Sequence, residues 1–301
     1  AIEAPDIKVE KPGIGKRLLR NPSVLIGAAL LLLIALMGLC APLLSHIDPA
    51  EIDPSNRNKL PGFETTMRDD DGNKTTQIAR MGTDSLGRDI YTRVVWGARV
   101  SLTVGIAVAT LSVAIGLAIG LAAGYFRALD GVVMRVMDGL MAVPAILVAI
   151  ALVSLSGASL LTVIVAVTIP EIPRVVRLVR AIVLSIREEP YVEAAISVGT
   201  PTLKVLWRHV LPNTIAPLIV PATFIAGSAI LLEAALSFLG VGIPPEIPTW
   251  GNIMAEGRSV FQILPHNILY PAAFLTVTVL AINMLGDGLR DTLDPRMAKR
   301  V

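Results

Sequence analysis

The sequence predicts an all-α polytopic membrane protein with six transmembrane helices. Three observations carry that prediction. Of 301 residues, 53% are hydrophobic and only 17% charged, against about 25% charged in a soluble domain. The apolar residues gather into runs near the ~20 residues a spanning helix needs. The basic residues fall between those runs asymmetrically, which gives the chain two distinct sides. The net charge is only +2 and is not clustered, so membrane lipid is an expected partner and nucleic acid is not.

The first run, Val24–Ser45, is uncharged. Lys8, Lys11, Lys16, Arg17 and Arg20 precede it, as they would a signal peptide, but a signal core is only roughly 7–15 residues. Leu39 before Cys40 is also too large for a lipoprotein cleavage site, so the run reads as a retained transmembrane helix. Val100–Phe126 is uncharged throughout, Thr214–Leu239 holds one acid, Glu233, and Asn267–Gly286 holds none. Two weaker spans lie between. Leu140–Leu155 is short unless it begins near Gly131, and Ser159–Pro170 must continue through Glu171 toward Val179.

Lysine and arginine on short loops set the orientation. Residues 1–23 carry five. Arg127 and Arg135 lie between the second and third spans, and the 171–213 loop carries Arg174, Arg177, Arg180, Arg187, Lys204 and Arg208. The 288–301 tail adds Arg290, Arg296, Lys299 and Arg300. On the other side, 154–159 has none and 240–266 only Arg258. Both termini are therefore expected in the cytoplasm and the 46–99 loop outside. In that loop Asp71-Gly72 favours a hairpin turn between Glu64–Arg68 and Lys74–Ile78. The acidic run 69–71 lacks the spacing and closing glutamate of a calcium loop. Gly82–Trp96 reads as an amphipathic helix on the outer surface, with Ile90, Val94 and Val95 toward lipid or core and Tyr91 and Trp96 at the interface.

The most informative stretch is polar and lies between spans. Pro190 suits a first helical position, and Gly199 suits the residue just past a helix end. Thr200 then Pro201 reads as an N-cap followed by a first-turn proline, and Pro212 disfavours helix at the residue before it. Two short helices are expected to meet at Gly199. A compact knob of this kind suits the docking of a partner.

Other motifs are weaker. Gly82-Thr-Asp-Ser-Leu-Gly87-Arg88-Asp89 imitates a phosphate-binding loop, but Arg88-Asp89 stands where the lysine and magnesium-binding hydroxyl are required. His46, His209 and His266 are too dispersed to suggest a metal site. Cys40, the only cysteine, permits no internal disulfide and reads as a packing residue. Gly116, Gly120 and Gly124 have the spacing that lets helix backbones approach, within this subunit or against a second. Glu233 lies in mid-span, where a carboxylate must be protonated, paired or facing a wet cavity. Ser228 and Ser237 are placed to help satisfy it, and both a structural and a gating role remain open.

Glu193-Ala194-Ala195, Gly199 and Leu211-Pro212 resemble the "EAA" loop of permease subunits of bacterial ATP-binding-cassette importers, with His209 where many members carry isoleucine. Gly82-Thr83-Asp84, Gly87-Arg88-Asp89, Arg93, Gly97, Arg99 and Ser101-Leu102 resemble the approach to the permease core in the peptide-importer branch. So do Ser237–Gly242 with Pro244-Pro245 and Pro248–Gly251, and the closing block from Asn283 to Arg296. From about Ile14 to Arg296 the chain is similar to the second, C-type, permease of a dipeptide/oligopeptide importer (the peptide/opine/nickel branch).

The resemblance implies a five-helix type I ABC importer permease core at 100–287 behind one accessory helix at 24–45, in the bacterial inner membrane. As partners it implies a homologous second permease, two ATP-binding-cassette ATPases and an extracytoplasmic solute-binding protein. It implies no enzyme and no cofactor on this chain, with ATP and Mg on the partner subunits. The ATPase-coupling residues implied are Glu193, Ala194, Ala195, Gly199, Thr200, His209, Leu211 and Pro212. The branch also includes importers of nickel, glutathione, opines and oligosaccharides. A reading of another class is a proton-coupled secondary carrier using Glu233.

Overall fold

The computed structural model describes residues 14–68 and 74–293. Helix α1, Pro22–Leu39, opens with Asn21 accepting the Ser23 N–H and Pro22 at the first position, where its missing N–H costs nothing. A short turn, Ala41–Leu44, follows, and half-buried Cys40 lies between the two. Strands β1, Phe63–Arg68, and β2, Lys74–Ala79, pair antiparallel with Phe63 opposite Ala79 and Arg68 opposite Lys74. The Asp71-Gly72 turn expected between them lies outside the described residues.

Helix α2, Ile90–Tyr125, is capped by Asp89, which accepts the Thr92 N–H. Its 36 residues correct the expected separate surface helix before the second span: Ile90, Val94 and Val95 face the core, one of the two faces expected, but in the first turns of the long helix. No breaker separates them from the span. Gly97, the one weak point, is used to admit Trp250, whose ring a Cβ there would crowd at 3.2 Å. The Trp250 indole donates to the Val94 carbonyl at 3.1 Å.

Helices α3, Arg127–Met141, and α4, Ala145–Ser156, meet at an 86° bend. Pro144 causes it, having no N–H to donate and disfavouring helix at Val143. Helix α5, Leu160–Arg187, is capped by Ser159 and runs through Pro170 and Pro173. Helix α6 is Pro190–Ser197, α7 is Thr202–Phe238, α8 is Trp250–Gly257 and α9 is His266–Leu293.

Among the described residues, four helices are long and apolar enough to cross a membrane (α1, α2, α7 and α9), and the bent α3–α4 pair would make a fifth. The sixth expected span falls on α5, Leu160–Arg187. The remaining candidate, α5, has the length but carries Glu171, Arg174 and Arg177 within it. It also corrects the 171–213 loop, because residues 171–187 are the second half of α5. The helix persists because Val175, Val176, Val179 and Val183 continue a buried face past both prolines.

That face meets the glycines of α2. A Cβ on Gly116, Gly120 or Gly124 would fall 2.5, 2.6 and 2.7 Å from the Cβ atoms of Val175, Val179 and Val183. Both helices repeat every four residues, so the backbones lie close along three turns. The other face of α5 is basic. Arg180 grips Asp130 through two nitrogens, one at 2.6 Å, Arg177 reaches Asp138 at 2.5 Å, and Arg187 donates to the Tyr125 carbonyl at the end of α2 at 3.1 Å. These ties fix α3 beside α5.

A second polar cluster holds the start of α2. Arg88 donates to Asp84 at 2.7 Å and to Glu256 of α8, which Arg93 also meets at 3.3 Å. Arg93 is fully buried and also donates to the Pro49 and Pro245 carbonyls at 3.3 and 3.1 Å. One guanidinium pair thus joins the 46–89 loop, the start of α2, the 240–249 segment and α8.

Two predictions follow from these contacts. Gly120→Val should lower the thermal midpoint of the detergent-solubilised protein, since overpacking costs about 1–3 kcal/mol. Gly131→Ala, on an open face of α3, should leave it unchanged or higher, and equal losses in both would contradict the seam. Glu256→Ala should destabilise by roughly 3 kcal/mol, because it strands two buried guanidiniums, whereas Ala at exposed Glu246 should cost little in the same assay.

Candidate functional site

The Pro190–Asn213 segment is built from chain punctuation. α5 ends at Arg187, and Pro190 opens α6 at a first-turn position. α6 closes on Gly199, with φ +82°. The Gly199 N–H donates to the Ile196 carbonyl at 2.9 Å and the Thr200 N–H to the Ala195 carbonyl at 3.1 Å, the paired bonds of a Schellman end. No atom lies within 4 Å of a Cβ at Gly199. Glycine is needed there for backbone conformation alone.

The second helix begins one residue later than expected. Pro201, in extended conformation, takes the cap position, and Thr202 is the first helical residue. Thr200 does not cap it, because Pro201 holds the cap position and no side-chain cap bond is made there. Nor does the helix stop before Pro212. It widens into a π turn over Leu206–Val210, in which the Leu211 N–H reaches back to the Leu206 carbonyl. This absorbs the donor that proline lacks. The chain therefore continues through a 3₁₀ turn at Ala216–Leu218 into the apolar body of α7. The segment is joined to a long helix at each end, α5 before it and α7 after.

Val192, Val205 and Val210 are fully buried and join the core that contains Val183. His209 faces the ring of Tyr191 at 6.2 Å, and the Asn213 amide donates to the Tyr191 hydroxyl at 3.2 Å. Of the eight coupling candidates, Glu193, Ala194, Gly199 and Pro212 are exposed. Ala195, Thr200, His209 and Leu211 are half-buried and serve the packing beneath. Three large apolar residues beyond the eight are strongly exposed, namely Val198 (87%), Leu203 (78%) and Trp207 (76%). Leu203 and Trp207 are four apart, so they share a face. Together with exposed Tyr191 and Ile196 they leave large apolar side chains in the open on this segment.

Glu233 lies elsewhere, fully buried in α7 and accepting the Ser237 hydroxyl at 2.8 Å. Ser228, expected to help it, turns instead to Glu171 at 3.4 Å and to its own helix at the Ile225 carbonyl. The structure therefore separates Glu233 from the Pro190–Asn213 segment and from the Gly116–Gly120–Gly124 seam.

Comparison with known proteins agrees with this architecture. Residues 112–299 match the family described as binding-protein-dependent transport system inner membrane component, and residues 14–61 match the N-terminal TM domain of oligopeptide transport permease C. A probable peptide ABC transporter permease protein of Sinorhizobium fredii is 50% identical over 93% of this chain and 91% of its own. The dipeptide transport system permease protein DppC of Alkalihalophilus pseudofirmus is 40% identical over 94% of this chain and 88% of its own. Among solved structures, a chain of the inward-facing MetNI methionine ABC transporter superposes with a TM-score of 0.55 at 18% identity, covering 67% of this chain and 97% of that one, a likeness of fold. With a family model across more than half its length and relatives of this identity end to end, the chain belongs to the binding-protein-dependent transport system inner membrane components, as a multi-pass C-type permease subunit of an ABC importer.

Proposed function

We propose that this permease forms half of the translocation pathway of an ATP-driven importer of dipeptides or oligopeptides in the bacterial inner membrane. The Pro190–Asn213 segment is its mechanical link to the ATPases. The observation that carries this reading is the exposed surface of Glu193, Val198, Leu203 and Trp207 on a knob continuous with α7. A partner gripping that surface cannot move without moving a span. The names of the relatives supply the peptide class.

In this reading the termini and the segment lie in the cytoplasm. A homologous permease completes the pathway, and a solute-binding protein delivers substrate from outside. ATP and Mg are held by two ATPase subunits, and the chain itself binds no cofactor. Nucleotide binding and hydrolysis then bias two global states, outward- and inward-facing, by their different contacts with the segment. Glu233, bonded to Ser237 on its own helix, is given a structural role.

The test is the complex reconstituted in vesicles. Gly199→Val costs about 1–2 kcal/mol of left-handed strain, too little to unfold a segment with open space around it. Gly199→Val and Glu193→Lys should both assemble and lose substrate-stimulated ATP hydrolysis. Trp207→Ala should weaken co-isolation of the ATPases by tenfold or more, as loss of a central aromatic anchor does. Undiminished import in all three would overturn the coupling role. Import that follows the proton gradient and ignores ATP would restore the carrier reading of Glu233.

A further inference from the structure

A cleft of about 740 Å³ opens between α5, α7 and α9, lined by Leu178, Pro217, Val220, Pro221, Phe224 and Leu293 among others. Two guanidiniums stand in this apolar lining, Arg174 and Arg290. Arg174 gives one nitrogen to Glu171 at 3.0 Å and leaves its side chain 65% exposed, so most of its five N–H donors remain available. Arg290, in the last turn of α9, is exposed and has no hydrogen bond or ion pair among the described residues. The one buried acid beside them, Glu171, is spent on Arg174 and Ser228. Asp287 and Asp291 flank Arg290 along α9 but do not line the cleft.

The position is as informative as the chemistry. Pro217 follows closely on the Pro190–Asn213 segment, and Arg290 is three residues from the described end of α9. The cleft therefore lies where the spans leave the membrane on the side of that segment. A basic pocket between helices at that level is suited to a lipid headgroup. We propose that the cleft holds one anionic phospholipid, with its phosphate on Arg174 and Arg290 and an acyl chain along Leu178, Val220 and Phe224. A peptide fits less well, because its ammonium group would need an acid and the lining offers none that is free. A lipid seated there touches α5, α7 and α9 together, at the base of the helix that carries the segment.

The test uses the intact complex in mild detergent and native mass spectrometry, with phosphatidylglycerol, phosphatidylcholine and inorganic phosphate as probes. Phosphatidylglycerol should remain bound where phosphatidylcholine does not. Removing one arginine should weaken it about fivefold. The Arg174→Gln/Arg290→Gln pair should therefore lose it almost entirely, and Arg258→Gln, on the opposite side, should change nothing. Three results would overturn the proposal: equal retention of the two lipids, full retention of phosphatidylglycerol by the double variant, or its displacement by a tripeptide or by phosphate at equal concentration. The comparison of lipids needs no variant, so it decides the matter even if the double variant folds poorly.

Discussion

The close approach of α2 and α5 is the constraint on which the other arrangements rest. Between helices in a membrane there is no hydrophobic drive of the kind that builds a soluble core, because lipid tails are as apolar as leucine. Association depends on packing. Gly116, Gly120 and Gly124 leave a groove that Val175, Val179 and Val183 fill, with no room for a single added carbon at any of the three. Once α5 is fixed in that groove its direction is fixed too. Arg177 and Arg180 are then brought to Asp138 and Asp130 of α3, and Arg187 to the last carbonyls of α2. The Pro190 segment consequently starts from a defined point and angle.

The two ends of the protein are held by different physics. Along the α2–α5 seam the contact is valine against glycine. At the start of α2 the Asp84–Arg88–Glu256–Arg93 cluster and the carbonyls of Pro49 and Pro245 do the holding. Such a cluster is poor evidence of stability in itself, since desolvating charges offsets most of their attraction. Its value is directional. Donors in the rigid geometry of guanidinium accept few arrangements of their partners, so the 46–89 loop and α8 share one orientation relative to α2.

Local punctuation was legible in the sequence where a residue type has one physical use. Pro190 at a helix start and Gly199 at a helix end occupy the positions their chemistry suggests, and the fold class is carried by the apolar runs alone. Legibility failed where one local signal was overruled by another. Pro212 argues for a break, but a π turn spares the helix. Pro170, Glu171 and Pro173 suggest a membrane edge, yet the buried valines beyond them keep α5 going. Ile90–Trp96 has amphipathic spacing and its apolar face meets Trp250 and the core, but the helix does not end there and runs on to Tyr125. Least legible were contacts between distant residues. Nothing near Arg88 or Arg93 in sequence points to Glu256, and the outward reach of Val198, Leu203 and Trp207 depends on how α6 and α7 fold over Val192 and Val205.

The account places the moving contact on the tip of the Pro190–Asn213 segment, with a span attached behind it. The most direct measurement is site-specific photo-cross-linking from Val198, the most exposed of the large apolar residues there, in membranes that hold the assembled transporter. The account predicts an adduct with an ATP-binding subunit whose yield changes when nucleotide is added. An intact complex that gives no such adduct from Val198, while cross-linking to its ATPases from elsewhere on this chain, would contradict it.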